Sequence, residues 1–152
     1  MHHASRNVQI RNVKAGQNVV IYEPANVYDC TLHDDVFVGP FVEIQANTSI
    51  GRGTKIQSHT FICEYVTVGE NCFIGHGVMF ANDMFKTGRP DAERNSWARI
   101  HVGNDVSIGS GATILGVTIC DGTVIGAGSV VTKDITIKGI YAGNPARWLR
   151  TL

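Results

Sequence analysis

Large apolar residues recur every six positions along most of this chain. From Leu32 the series runs through Val38, Ile44, Ile50, Ile56, Ile62, Val68, Ile74 and Phe80 without a miss. A second column, four residues after each marker, holds Val36, Val42, Thr48, Thr54, Thr60, Val66, Cys72 and Val78, all small or β-branched. An α-helix repeats at about 3.6 residues and a half-buried strand at about 2, so neither gives this pattern. A fixed short period marks a solenoid. Each hexad reads as a short strand plus a corner, and three hexads make a triangular coil of about 18 residues whose neighbours stack at the ~4.8 Å spacing of paired strands. A two-sheet sandwich would need hairpin turns every ~8–12 residues instead. The chain has room for about six to seven such coils.

The ladder stops after Phe80 and resumes at Val102, Ile108 and Ile114. It then slips by one residue, to Ile119, Ile125, Val131 and Ile137, which assigns a shortened turn to Leu115-Gly116-Val117. The small column continues as Val106, Ala112, Thr118, Thr123 and Ser129. Gly39, Gly51, Gly69 and Gly75 directly follow markers, and glycine suits a sharp corner because it has no Cβ. A fainter form of the pattern precedes Leu32, around Val8, Ile10, Val13, Val20 and Ile21.

Composition agrees with the ladder. The 152 residues include 17 Val, 15 Ile and 12 Thr but only four Leu. Branching at Cβ disfavours helices and suits pleated surfaces, so a helical bundle is excluded. Thirteen basic and thirteen acidic residues give zero formal net charge. No basic patch is available for nucleic acid or an anionic membrane. Apolar runs fall far short of the ~20 residues that span a bilayer, and the first residues lack the apolar stretch of a secretory signal. A soluble, cytoplasmic protein is expected. Cys30, Cys63, Cys72 and Cys120 form no CxxC pair and match no zinc spacing, so they read as reduced, small apolar residues.

Two segments leave the array. Residues 82–99 (NDMFKTGRPDAERNSWAR) have no six-residue pattern, and a long aperiodic insert in such a fold is usually functional or mobile. Residues 141–152 (YAGNPARWLRTL) predict a short capping helix: Asn144 suits an N-cap, Pro145 the first helical position, and Trp148, Leu149 and Leu152 an apolar face.

The hexads, the stretches Ile108-Gly109-Ser110-Gly111-Ala112-Thr113-Ile114 and Ile125-Gly126-Ala127-Gly128-Ser129-Val130-Val131-Thr132-Lys133-Asp134, and the closing Ala142-Gly143-Asn144-Pro145-Ala146 together resemble the hexapeptide-repeat acyltransferases. The resemblance covers nearly the whole chain, as one domain over residues 1–152. It implies an all-β, left-handed parallel β-helix, although parallel crossovers are otherwise almost always right-handed. Within that family, Phe73 to Asp83 (FIGHGVMFAND) resembles the branch that acetylates amino groups of nucleotide-linked sugars. The resemblance implies acetyl-CoA as cosubstrate, no metal, a dTDP-3-amino-3,6-dideoxyhexose or UDP-3-amino sugar as acceptor, and a homotrimer with its site between subunits. The products of such enzymes enter surface polysaccharides.

Stacking arithmetic selects residues for the chemistry. Positions 18 apart lie one coil above another, which pairs Glu64 with Asn82 and Tyr65 with Asp83 at the mouth of the insert. Glu64, Asn82 and Asp83 also match the positions where the resembling enzymes touch their acceptor. Acyl transfer to an amine needs a neutral amine, a positioned thioester and a donor for the oxyanion. Asn82 and Asp83 are the catalytic candidates, and Glu64, Tyr65 and Phe85 the acceptor-binding ones. The alternative reading of the same residues is that they are solvated surface groups of a β-helix. His76, in Gly75-His76-Gly77, is an alternative base, because histidine changes charge nearest neutral pH; it also reads as an interface residue. For coenzyme A, the resemblance points to Ser110 and to backbone groups of Ala127, Gly128 and Ser129, with Lys133 and Arg147 meeting the phosphates.

Many hexapeptide O-acetyltransferases place a histidine where the insert starts, as base for a hydroxyl. Here that place reads Ala81-Asn82-Asp83. An amine is nucleophilic once deprotonated and needs less help. Three rivals stand beside this reading. O-acetylation of a sugar or small alcohol is one, and a non-catalytic assembly module is another. The third is a γ-type carbonic anhydrase, whose zinc needs a close histidine pair that this chain lacks: His59 and His76 are 17 apart.

Overall fold

Marker residues form the inner walls of a three-sided solenoid of about seven turns. The structure is a computed structural model and describes residues 10–152. Val8, in the faint early pattern, lies outside the described residues. Three sheets of six, eight and six strands make the sides. In the first, Leu32 pairs with Ile50, Ile50 with Val68, Val68 with Val102 and Val102 with Ile119, all in parallel register. The second stacks Val38, Ile56, Ile74, Ile108 and Ile125, and the third Val27, Ile44 and Ile62, then Phe80, Ile114 and Val131. Most strands are only two residues long, because one inward and one outward residue fill each side.

Markers from Leu32 to Phe80 are fully buried. Removing each such side chain from water contributes roughly 1.5–3 kcal/mol. Most of the small column is buried too, and Thr48, Thr54 and Thr60 satisfy their hydroxyls by joining coils. Thr54 Oγ1 donates to the Gly69 carbonyl (2.8 Å) and accepts from the Cys72 N–H (3.0 Å). Thr60 repeats the device with Gly75 (2.8 Å) and Val78 (3.4 Å).

Corner chemistry differs from the expectation. The residue in the left-handed region comes three positions after each marker: Asp35, Phe41, Asn47, Gly53, His59, Tyr65, Asn71 and Gly77. Aspartate and asparagine tolerate this region best among residues with a Cβ. Gly39, Gly51, Gly69 and Gly75 are not in that region; they are needed where coils touch. A Cβ on Gly51 would collide with the Gly69 carbonyl of the next coil.

The slip at Leu115-Gly116-Val117 is a shortened corner, with Ile114 and Ile119 ending successive strands. Val117 therefore fills the inner small position, and Thr118 points outward. A second shortening follows Val131. Ile135 is 4% exposed and bridges to Ile119, whereas Ile137, expected as a marker, is 68% exposed. The Asp134 carboxylate sets this corner by accepting from the Thr118 N–H at 2.8 Å.

Residues 141–152 do not form the expected helix. The chain reverses after Gly143 (φ +100°), and Arg147–Arg150 pairs antiparallel with Ile140–Ala142. So short a helix is marginal without packing, while the sheet edge offers ready backbone partners.

Candidate active site

The insert leaves the solenoid at the corner between the third and first sheets. Its feet are pinched together: the Ala98 N–H donates to the Asn82 carbonyl at 2.8 Å. The rungs on either side stack as if nothing intervened, with Val66 opposite Ile100. Asn82 is buried, and its Nδ2 donates to the Glu64 carbonyl at 2.8 Å, which realises the 18-residue stacking of the two.

Glu64 is a buried acid, its side chain only 8% exposed. Oε1 lies 3.6 Å from an Arg94 guanidinium nitrogen, and Oε2 is fully covered with no hydrogen-bond partner among the described residues. An unsatisfied buried carboxylate oxygen is costly, and such atoms are rare without a functional reason. Arg94 had no signal in the sequence, because the insert lies outside the six-residue register. It sits in a single 3-10 turn, Arg94–Ser96.

Asp83 organises the insert from within. Oδ1 accepts from the Phe85 N–H (2.9 Å) and Oδ2 from the Asp91 N–H (2.8 Å). Asp91 continues the network by accepting from the Glu93 N–H and the Ser96 hydroxyl, while its carbonyl takes the Trp97 indole N–H. The Ser96 hydroxyl, then the Glu93 N–H, hold the Asp91 carboxyl below its ordinary range. Tyr65 occupies the left-handed region (φ +64°), with the Arg99 guanidinium 5.0 Å from its ring centroid. Phe85 is exposed on the insert.

His76 is at a different corner, between the second and third sheets, at the far end of the strand Met79–Phe80 from Asn82. It is exposed; its N–H donates to Ser110 Oγ (3.1 Å), and that hydroxyl lies 3.5 Å from Nδ1. Ala127 and Gly128 continue this corner one coil on, with the Gly128 N–H donating to the Ser110 carbonyl. Ser129 turns inward, fully buried, and its Oγ accepts from the Gly143 N–H at 3.2 Å. Lys133 and Arg147 meet in a cleft of about 300 Å³ with Tyr141 and Trp148. One chain thus gathers Glu64, Asn82 and Asp83 at one corner, and His76, Ser110, Ala127 and Gly128 at another. Among the described residues no three His, Cys, Asp or Glu side chains converge closely enough to hold a metal ion, and no helix is long and apolar enough to cross a membrane.

Residues 29–64 match the family described as bacterial transferase hexapeptide (six repeats). Residues 65–79 and 99–133 match the hexapeptide repeat of succinyl-transferase, so residues 82–98 of the insert fall between matched segments. Galactoside O-acetyltransferase of Escherichia coli (strain K12) is 35% identical over 130 residues, 80% of this chain and 64% of that one. A variant of the perosamine N-acetyltransferase from Caulobacter crescentus, solved with CoA and GDP-perosamine, superimposes with a TM-score of 0.75 at 26% identity, over 88% of this chain and 57% of that one. AntD, an N-acyltransferase from Bacillus cereus solved with dTDP and coenzyme A, shares the fold (TM-score 0.70, 20% identity, 91% and 83% covered). This chain spans less than two thirds of the length of the first two.

Proposed function

The chain belongs to the hexapeptide-repeat β-helix acyltransferases, and from that premise we propose that it acetylates the amino group of a nucleotide-linked amino sugar with acetyl-CoA. The observation that carries this reading is the buried Glu64–Asn82 pair at the foot of the insert, with one carboxylate oxygen unpartnered. A carboxylate is a natural partner for an amine's N–H groups. No histidine stands where a hydroxyl acceptor needs its base.

In the reaction the neutral amine attacks the thioester carbonyl. A C–N bond forms, the C–S bond breaks, and the amine proton leaves with the thiolate as free CoA thiol. Glu64 and the Asn82 Oδ1 orient the amine through its N–H groups, and Glu64 relays the departing proton toward the thiolate. Asp83 shapes the insert, since both of its oxygens already accept backbone N–H groups. Coenzyme A lies along the Ser110–Ala127–Gly128 corner, with Lys133 and Arg147 toward its phosphates and His76 beside the thioester.

The two residue groups occupy different corners, and a homotrimer that sets one corner against the other's neighbour completes the site. Family membership supports that assembly and the left-handed winding. The 35% identity to a galactoside O-acetyltransferase favours hydroxyl transfer as the second reading. Thiol release from acetyl-CoA across matched panels of dTDP- and UDP-linked amino and hydroxyl sugars separates the two. Turnover with hydroxyl acceptors alone would overturn the proposal.

A further inference from the structure

A polar cleft of about 650 Å³ lies against the first coils, beside the insert. Lys14, Asn12, Asn47, Ser49 and Asp29 contribute to its walls, and Arg94 reaches it from the insert. That volume is in the range of small-molecule sites, roughly 300–1,000 Å³. The charges comprise two cations and one carboxylate, and the carboxylate is engaged: Asp29 Oδ1 accepts from Asn12 Nδ2 at 2.6 Å.

Arg94 is weakly held where it stands. Its 3.6 Å approach to Glu64 is longer than a charge-assisted hydrogen bond, about 2.7–2.9 Å, and its side chain is 65% exposed. A guanidinium carries five N–H donors in a planar fork suited to phosphate oxygens. The same residue therefore touches two things: the buried acid of the candidate site and a polar cleft of ligand size.

We infer that Arg94 is a specificity-determining residue with two positions. In the empty site it rests on Glu64. When the diphosphate of a nucleoside-diphosphate acceptor enters the cleft, Arg94 moves onto the phosphates and uncovers the Glu64 carboxylate for the acceptor's amine. An acceptor lacking the diphosphate leaves Glu64 covered. This inference rests on the nucleotide-linked reading above and adds the residue that senses the nucleotide.

The test is a double-mutant cycle on binding of UDP and dTDP, measured by calorimetry without acetyl-CoA. Arg94→Ala weakens binding by about tenfold or more, whereas Glu64→Gln tightens it several-fold, because Arg94 no longer has a competing partner. In the Arg94→Ala background, Glu64→Gln has no effect. Simple loss of a nearby negative charge would instead tighten binding in both backgrounds alike and overturn the inference. Arg94 is exposed on a loop, so its alanine variant folds. Unchanged UDP binding in Arg94→Ala removes the inference and leaves the acetylation reading standing. A parent protein that binds neither nucleotide removes both. Displacement of UDP by CoA would assign the cleft to the donor's diphosphate and also overturn the inference.

Discussion

Asn82 Nδ2 donates to the backbone carbonyl of Glu64 across 2.8 Å, so the residue that opens the insert is anchored on the coil that carries the buried acid. Substituting Asn82→Ala removes this anchor and the amide oxygen that faces the acceptor in the proposed site. Steady-state kinetics should show kcat/KM lowered by more than tenfold, about 1.4 kcal/mol of transition-state stabilisation. Unchanged kinetics would take Asn82 out of the site.

Deleting residues 83–98 joins Asn82 to Arg99 and brings Ile100 to 18 positions after Val66, the spacing found between earlier rungs. Because the Asn82 carbonyl and the Ala98 N–H already meet, the shortened chain closes without strain. The variant should unfold cooperatively in urea and retain acetyl-CoA binding by calorimetry, while acetyl transfer is lost. Aggregation on expression would show that the insert is part of the scaffold.

Thr54 places its hydroxyl between a half-buried carbonyl and a buried N–H of the next coil. Thr54→Val keeps the shape and leaves both backbone groups unpaired. Equilibrium urea denaturation should give a loss of about 1–3 kcal/mol. Thr123→Val is the control: among the described residues its hydroxyl meets only the Cys120 sulfur, at 3.4 Å, and the expected loss is smaller.

Burial pushes the Cys30 thiol up to about 11 and the Cys63 thiol up to about 12, against an ordinary value of 9.0. Each thiol holds its proton more tightly folded than unfolded. The stability that follows is complete below pH 9 and declines as pH rises toward 11 and 12. Melting temperature measured from pH 8 to 10.5 should therefore fall less in the Cys30→Ala/Cys63→Ala variant than in the parent. Parallel curves would contradict the assignment.

The inward columns were legible because burial imposes a strict choice at every sixth residue, and a misplaced polar side chain there has no partner. The left-handed corner position was less legible: Asp, Asn, Gly, His, Phe and Tyr all occupy it, so no residue type repeats. Ile137 misled because one shortened corner passes unmarked in a sequence where isoleucine is frequent; the Asp134 to Thr118 bond that sets it is a tertiary fact. The tail misled because Asn144-Pro145 is as good a turn as a helix start, and the competing strand edge lies elsewhere in the chain. At the candidate site, Glu64 and Asn82 could be paired by arithmetic, since both follow a third-sheet strand at the same corner of successive coils. Arg94 could not, since its contact with Glu64 depends on how a non-repeating loop folds back.

The insert begins and ends on neighbouring backbone groups, with paired rungs on either side of it. Selection can then act on it as an exchangeable cassette. Its length and side chains can drift without disturbing the register of the coils. A lineage with this architecture can try new acceptors while donor recognition, which the proposed site holds on other corners, stays constant.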